Sequence, residues 1–138
     1  MNLTRRDTIL MAMGAAVAAV LPFRVSASVE DSIAAFTGGA EMGTDGITLI
    51  APEIAENGNT VPIEVDAPGA EAIMVLATGN PTPAVGTFTF GALAGAQSAS
   101  TRIRLAGTQD VMAIARMPDG TFVQASQEVK VTIGGCGG

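Results

Sequence analysis

The sequence has no histidine, tryptophan or tyrosine, and its 138 residues include a single cysteine, Cys136. Without histidine, no Ser-His or Cys-His catalytic pair can form. One cysteine is too few for a zinc site of Cys and His ligands, an iron–sulfur cluster or an internal disulfide, and haem attachment also needs a histidine. We therefore expect no cofactor and no metal.

Basic residues are also scarce, with seven Lys and Arg against thirteen Asp and Glu and a net charge of −6. Binding to a phosphate backbone depends on clustered basic side chains. This charge argues against a nucleic acid partner. Only five phenylalanines are present, so a core must be built mainly from aliphatic side chains.

Residues 1–27 have the three parts of an export signal: Arg5 and Arg6, an apolar run of 13 residues at positions 9–21, and small residues at 25–27 that suit cleavage. The apolar run is shorter than the ~20 residues that span a bilayer, so no membrane anchor is expected. Paired arginines resemble the twin-arginine motif, which exports folded proteins.

Thr8 and Leu10 depart from that motif, so the ordinary secretory route remains the alternative. Cleavage before Ser28 would leave four basic and twelve acidic residues, a net charge of −8. The expected compartment is the periplasm, where structural cysteines normally pair. A lone cysteine cannot pair within its own chain.

Residues 28–133 are predicted to form one all-β domain, an immunoglobulin-like antiparallel β-sandwich that starts with a short helix at 28–36. Ser28 is a candidate N-cap for this helix. Short β-branched runs then alternate with turn signals at the spacing of a sandwich. The predicted strands are 46–50, 52–56, 61–65, 72–78, 87–90, 98–105, 111–117, 122–126 and 129–133.

Local signals add detail to this prediction. Asn57-Gly58 suits a tight hairpin turn between the runs at 52–56 and 61–65. Pro62 should lie at an edge or bulge, because it cannot donate to a ladder. The apolar run 72–78 is predicted to be a central strand, and residues 118–120 a turn.

The segment 134–138 is unlike the rest of the chain. It is predicted to be a flexible carrier arm in which glycines flank Cys136, the residue expected to attach sulfur covalently. Glycine lacks a side chain, so the arm is narrow enough to enter a channel. The arm consists of Gly134, Gly135, Cys136, Gly137 and Gly138.

The arm contains no base, so its thiol is expected to have the ordinary cysteine pKa of about 8.5. This favours a carrier on which other enzymes act over a self-sufficient enzyme. The alternatives are a structural sandwich whose terminal thiol forms an intermolecular disulfide, and a thiol oxidoreductase. Non-reducing electrophoresis separates a stable covalent dimer from a carrier.

Two further groups of charged residues are candidate sites. Glu53 and Glu56 are a candidate carboxylate pair and could perform acid–base chemistry, but carboxylates on a strand or turn are usually solvated. Arg102 and Arg104 could bind an anion, although their alternation favours a solvated strand face.

Several segments resemble the SoxY family, the sulfur-binding subunits of the bacterial thiosulfate-oxidising Sox system. They are residues 131–138, which end in Gly-Gly-Cys-Gly-Gly, residues 51–58, Asn80-Pro81 with Phe88 and Phe90, and residues 100–105.

The resemblance implies an immunoglobulin-like domain that pairs with SoxZ, a partner without its own signal. It implies that the cytochrome SoxXA couples thiosulfate to Cys136, that the hydrolase SoxB releases sulfate, and that the sulfane dehydrogenase SoxCD oxidises the remaining sulfur. Cys136 would carry each intermediate between these transient partners.

Overall fold

Two β-sheets, with one short helix against the larger sheet, make up residues 28–133, which are the residues that this computed structural model describes. The elements in chain order are α1 (Val29–Thr37), β1 (Met42–Gly43), β2 (Thr48–Ile50), β3 (Ile54–Ala55), β4 (Val61–Asp66), β5 (Ala72–Ala77), β6 (Ala84–Thr89), β7 (Ser98–Ile103), β8 (Gln109–Arg116) and β9 (Phe122–Val131).

Helix α1 begins with a capping box and ends at a glycine, as its sequence predicts. The Ser28 hydroxyl accepts from the Asp31 N–H at 3.1 Å, and the Asp31 carboxylate accepts from the Ser28 N–H at 3.3 Å. Gly38 follows in the left-handed region with φ of 66°, which glycine adopts without strain. Caps of this kind stabilise a helix by about 1 kcal/mol.

The larger sheet has the strand order β1-β9-β8-β5-β6, and β3 also pairs with β9. The smaller sheet has the order β2-β4-β7. All pairings are antiparallel except the two-residue pairings of β1 and β3 with β9, which are parallel. The predicted immunoglobulin-like sandwich is confirmed, with these short parallel pairs as an addition.

Strand β5 is buried along its whole length, which explains its unbroken apolar sequence. Its Ile73 and Val75 face the smaller sheet, whereas Met74 and Leu76 lie under the helix. A strand that is covered on both faces loses the apolar–polar alternation of a half-exposed strand. The prediction of a central strand at 72–78 is confirmed.

The helix is held on the larger sheet by aromatic contacts. Phe36 packs edge-to-face on Phe122, with ring centroids 5.8 Å apart. The Arg116 guanidinium lies 5.5 Å from the centroid of the Phe36 ring and also pairs with Glu71 at 3.5 Å. These contacts lie beside a second, smaller hydrophobic cluster between the helix and the larger sheet, formed by Met74, Leu76, Ile114 and Phe122.

Two strand predictions were wrong. The runs at 122–126 and 129–133 form one continuous strand, β9, because β8 is long enough to pair with residues 122–129. Asn57-Gly58 does not join a hairpin, because β3 pairs with β9 whereas β4 lies between β2 and β7. Pairing with a distant strand overrode the local turn signal.

Pro62 lies in the central strand of the smaller sheet and not at its edge. The edge position predicted for Pro62 is therefore true of one side of the strand only. Strand β2 pairs with residues 64–66 of β4, so Pro62 has a strand partner only on the β7 side. A missing N–H is tolerated on a side without a ladder.

The turn at 118–120 joins β8 to β9, as predicted. Asp119 accepts hydrogen bonds from the Thr121 hydroxyl at 2.6 Å and the Thr121 N–H at 3.0 Å. Both bonds lower the pKa of Asp119 below its ordinary value because they favour the carboxylate, and the bond from the Thr121 hydroxyl has the larger effect. Their contribution to stability is present above the unfolded-state pKa and disappears as pH falls through the lowered value.

Among residues 28–133, no helix is long and apolar enough to cross a membrane. The predicted export signal at 1–27 and the predicted arm at 134–138 lie outside the described residues, so both stay predictions.

Two leucines offer a matched test of the core. Leu105 is fully buried between the sheets, whereas Leu93 is fully exposed. Leu105→Ala should lower the free energy of unfolding by about 2–5 kcal/mol because it leaves a cavity. Leu93→Ala should change it by less than about 0.5 kcal/mol. Urea unfolding measures both, and equal effects would contradict this packing.

Candidate functional site

The predicted sulfur-attachment residue, Cys136, lies outside the described residues, as do the four glycines of the arm. The structure does describe where the arm starts. Strand β9 ends at Val131, and Thr132 and Ile133 continue from it. We call Thr132 and Ile133 the root of the arm.

The root is held by a segment that runs beside the end of β9, residues 53–58, which we call the strap. The strap carbonyls of Glu53 and Ala55 accept from the N–H groups of Lys130 and Thr132 at 2.9 and 3.1 Å. In the other direction, the Gly58 N–H donates to the Ile133 carbonyl at 2.8 Å. Backbone hydrogen bonds therefore reach the last described residue.

Side chains reinforce this pairing. The Thr132 hydroxyl donates to the Glu56 carbonyl at 3.0 Å. On the other edge of β9, the Thr108 hydroxyl accepts from the Val131 N–H at 3.0 Å. The end of β9 is thus held from both edges.

The strap is in turn fixed to the core. The Gly58 carbonyl accepts from the N–H of Leu105 at 2.8 Å, and Leu105 is fully buried. Ala55 is also buried, at 7% exposure. Gly58 therefore links the root directly to the interior of the sandwich.

A second group of loops packs at the same end of the molecule. The Asn80 side chain accepts from the Ala106 N–H and the Gln109 amide, both at 2.9 Å, and donates to the Arg104 carbonyl at 2.8 Å. A Cβ built on Gly79 would come within 2.9 Å of the Gln109 Cβ, so only glycine fits there. Asn80 therefore has a structural role, because its side chain joins the loop after β5 to the segment that leads into β8.

In the predicted carboxylate pair, the backbone groups make contacts with β9 and the side chains face solvent. Glu53 and Glu56 both have exposed side chains, and their backbone carbonyls, with that of Ala55, accept hydrogen bonds from the end of β9. Their part in the site is to carry the strap and to give its surface negative charge.

Of the two candidate anion-binding residues, Arg102 is exposed and donates to the Thr60 hydroxyl at 3.4 Å. It also lines a hollow of about 550 Å³ on the outer face of the smaller sheet, together with Ile50 and Pro62. The side chain of Arg104 is exposed as well. Arg102 therefore lies on the solvent-exposed strand face that its sequence predicts.

Sequence reasoning missed the strap and Thr132. The signal available was Asn57-Gly58, which was assigned to a hairpin. The Asn57 side chain does form a local turn, accepting from the Asn59 N–H at 3.0 Å. That turn changes the direction of the chain after the strap, but the segments before and after it do not pair with each other.

The described residues and the sequence together define an immunoglobulin-like β-sandwich whose last strand leads into a terminal Gly-Gly-Cys-Gly-Gly segment. The family model for the sulfur oxidation protein SoxY matches residues 33–136, a range that includes Cys136. The chain belongs to the SoxY family.

Solved structures agree. The sulfur carrier protein SoxY from Chlorobium limicola f. thiosulfatophilum is 34% identical, with a TM-score of 0.67, and the match covers 79% of this chain and 100% of that one. The superoxide reductase (neelaredoxin) from Ignicoccus hospitalis, at 17% identity and a TM-score of 0.55, covers 75% and 93% and shows the shared fold alone. A search of curated proteins found no match.

Membership of this family confirms the prediction that the chain is a sulfur carrier and not an enzyme. The structure adds that the segment proposed to carry sulfur starts from a fixed point on the sandwich.

The hydroxyl of Thr132 can be tested separately from the backbone pairing. Thr132→Val keeps the β-branched shape and removes the bond to Glu56, which should cost about 0.5–1 kcal/mol of local stability. The Gly58 amide should then exchange its hydrogen about two- to fivefold faster. Thr89→Val, on exposed strand β6, is the control. Unchanged exchange at Gly58 would show that the hydroxyl does not hold the root.

Proposed function

We propose that this chain carries sulfur intermediates of thiosulfate oxidation covalently on Cys136 and presents them to successive enzymes in the periplasm. The observation that carries the proposal is the SoxY family match, which extends to Cys136. The fixed root supports it, because it would let a short terminal segment deliver its cargo from a defined place on the protein surface.

The proposed loading step joins the terminal sulfur of thiosulfate to the Cys136 thiol. A new S–S bond forms, the thiol loses one proton, and two electrons pass to the cytochrome SoxXA. The product is an S-sulfonate of a cysteine persulfide. The carrier supplies the accepting sulfur, and the cytochrome supplies the oxidant.

The proposed unloading step consumes one water molecule. The hydrolase SoxB breaks the bond between the outer sulfur and the sulfonate group, so that sulfate and one proton leave and a persulfide stays on Cys136. The sulfane dehydrogenase SoxCD would then oxidise the outer sulfur of that persulfide to a sulfonate, a step that consumes three water molecules, releases seven protons and passes six electrons to the dehydrogenase. SoxZ is the proposed partner in a heterodimer with this chain.

Loading should depend on both the identity and the position of the thiol. Purified mature protein with its partner, thiosulfate and the cytochrome should gain the mass of one thiosulfate-derived group, and reductant should remove that mass. Cys136→Ser should abolish the gain and leave the urea midpoint unchanged. Intact-mass spectrometry and mapping of the terminal peptide measure this.

A relocated thiol is the matched control. Ser126→Cys in the Cys136→Ser background restores one exposed thiol on β9, and it should not load because it is outside the arm. An unmodified Cys136 under loading conditions, or a plain protein disulfide insensitive to thiosulfate, would contradict the carrier and favour the structural alternative.

The proposed export route has its own test. Changing Arg5 and Arg6 together to Lys should keep the precursor inside the cell, since the twin-arginine machinery discriminates between these residues despite equal charge. Cell fractionation and the N-terminal sequence of the exported protein, expected near Ser28, measure the outcome. Full export of the double variant would point to the ordinary secretory route.

A further inference from the structure

A hollow of about 260 Å³ lies between the loop after β5 and the segment that joins β7 to β8. Its walls are Asn80, Pro81, Thr82, Arg104 and Ala106. Asn80 connects the two segments, because its side chain donates to the Arg104 carbonyl and accepts from the Ala106 N–H. The walls of the hollow are therefore fixed relative to each other.

This hollow lies within reach of the arm. The Ile133 carbonyl accepts from the Gly58 N–H, and the Gly58 carbonyl accepts from the Leu105 N–H, each at 2.8 Å. The nitrogen and oxygen of one residue are joined by bonds that total about 4.2 Å, so the Ile133 oxygen lies at most about 10 Å from the nitrogen that links Leu105 to Arg104. Cys136 follows three residues after Ile133, and three extended residues cover about 10 Å as well. Cys136 can therefore be brought beside Arg104.

The charges around the root differ between its two sides. Glu53 and Glu56 on the strap have exposed side chains. The hollow that contains Lys130 is also lined by Glu53 and Glu128, whereas no acidic residue is among the described residues that line the hollow at Arg104. An anion on the arm would be repelled by the strap and attracted to the Arg104 guanidinium.

The group proposed to be carried on Cys136 is an anion of suitable size. Loading replaces a neutral thiol by a group that ends in a sulfonate, which has several negatively charged oxygens. A planar guanidinium can donate to two such oxygens at once, as it does to carboxylate and phosphate. The hollow is several times larger than the ~30 Å³ of a water molecule in the liquid, so a group of this size fits.

We propose that the hollow at Arg104 is a docking site for the carrier's own loaded arm, in which Arg104 binds the sulfonate of the group carried on Cys136. This inference rests on the proposed carrier function. The site holds the loaded arm against the sandwich between encounters with enzymes, and the arm leaves it readily because exposed ion pairs are weak. The unloaded thiol has no sulfonate and is not held.

Tetrathionate loads the arm without an enzyme. The Cys136 thiolate attacks a central sulfur of tetrathionate, a new S–S bond forms to the cysteine, the central S–S bond breaks, and thiosulfate leaves with the electron pair. The thiol proton is released to solvent. The product is the same S-sulfonate of a cysteine persulfide that the proposed loading step gives. Methyl methanethiosulfonate places a neutral methylthio group on the same sulfur and is the control for charge.

The test records nitrogen–proton NMR spectra of the isotope-labelled mature chain in complex with its proposed partner. Tetrathionate should shift the signals of the Ala106 amide and the Asn80 side chain, and the neutral methylthio group should not. Arg104→Gln should remove most of these shifts. Arg102→Gln is the matched control and should keep them, because Arg102 is also exposed but lines other hollows.

Release of the carried group gives a second readout. Docking protects the group, so a neutral phosphine should remove it about two- to fivefold faster from Arg104→Gln than from the unchanged protein, as for the loss of an exposed ion pair. Alkylation of the unloaded Cys136 by iodoacetamide should be equal in both. Equal shifts and equal release rates in the two proteins would overturn the docking site, as would equal shifts with the neutral methylthio group.

Other occupants of the hollow give different results. A short tether raises the local concentration to about the millimolar range, so free thiosulfate equimolar with a Cys136→Ser chain should cause no shift. Equal shifts there would show a site for free anions and contradict docking of the arm. If the signals respond to the partner protein and not to loading, the hollow is a partner contact and the proposal is wrong.

The proposed function can fail separately from the docking site. If the cytochrome does not load Cys136, while tetrathionate still causes shifts that depend on Arg104, only the proposed function is refuted. If the cytochrome loads Cys136 and the shifts and release rates do not depend on Arg104, only the docking site is refuted.

Discussion

The pairing of strand β9 on both edges is the constraint on which the site depends. One edge pairs with β8 over residues 122–129, and the other accepts β1 near its start and the strap at its end. Buried backbone groups need hydrogen-bond partners, and Gly58 extends this pairing from the Ile133 carbonyl to buried Leu105. The point from which the terminal segment departs is therefore joined to the core by a series of backbone hydrogen bonds.

This arrangement suits a protein whose reactive group is a substrate for other proteins. The sandwich supplies a fixed starting point and an acidic surface, and the proposed chemistry takes place in partner active sites on a single thiol. A short tether raises the effective concentration of its cargo near the surface from which it starts. The same shortness requires any enzyme that would use the thiol to approach the end of β9.

The sequence predicted the helix, the central strand and most strand positions because each depends on local patterns. Ser28 and Gly38 are local caps, and the unbroken apolar run of β5 reflects burial on both faces. The predicted hairpin at Asn57-Gly58 failed because a turn signal reports only local backbone preference. The strap pairs instead with a strand more than seventy residues later in the chain, and two-residue parallel pairing leaves no periodic pattern to detect.

By itself, the sequence determined the chemistry. With no histidine and one cysteine, it left Cys136 as the only thiol nucleophile and excluded Cys-His and Ser-His catalysis, and the glycines on either side of Cys136 predicted a carrier arm. Tertiary structure alone decided how the end of β9 is held. Gly58 and Ile133 are distant in sequence and become hydrogen-bond partners only when the strap lies beside the end of β9. The sequence gives the residue types directly, whereas contacts between distant segments form only when the backbone hydrogen bonds of the sheet form.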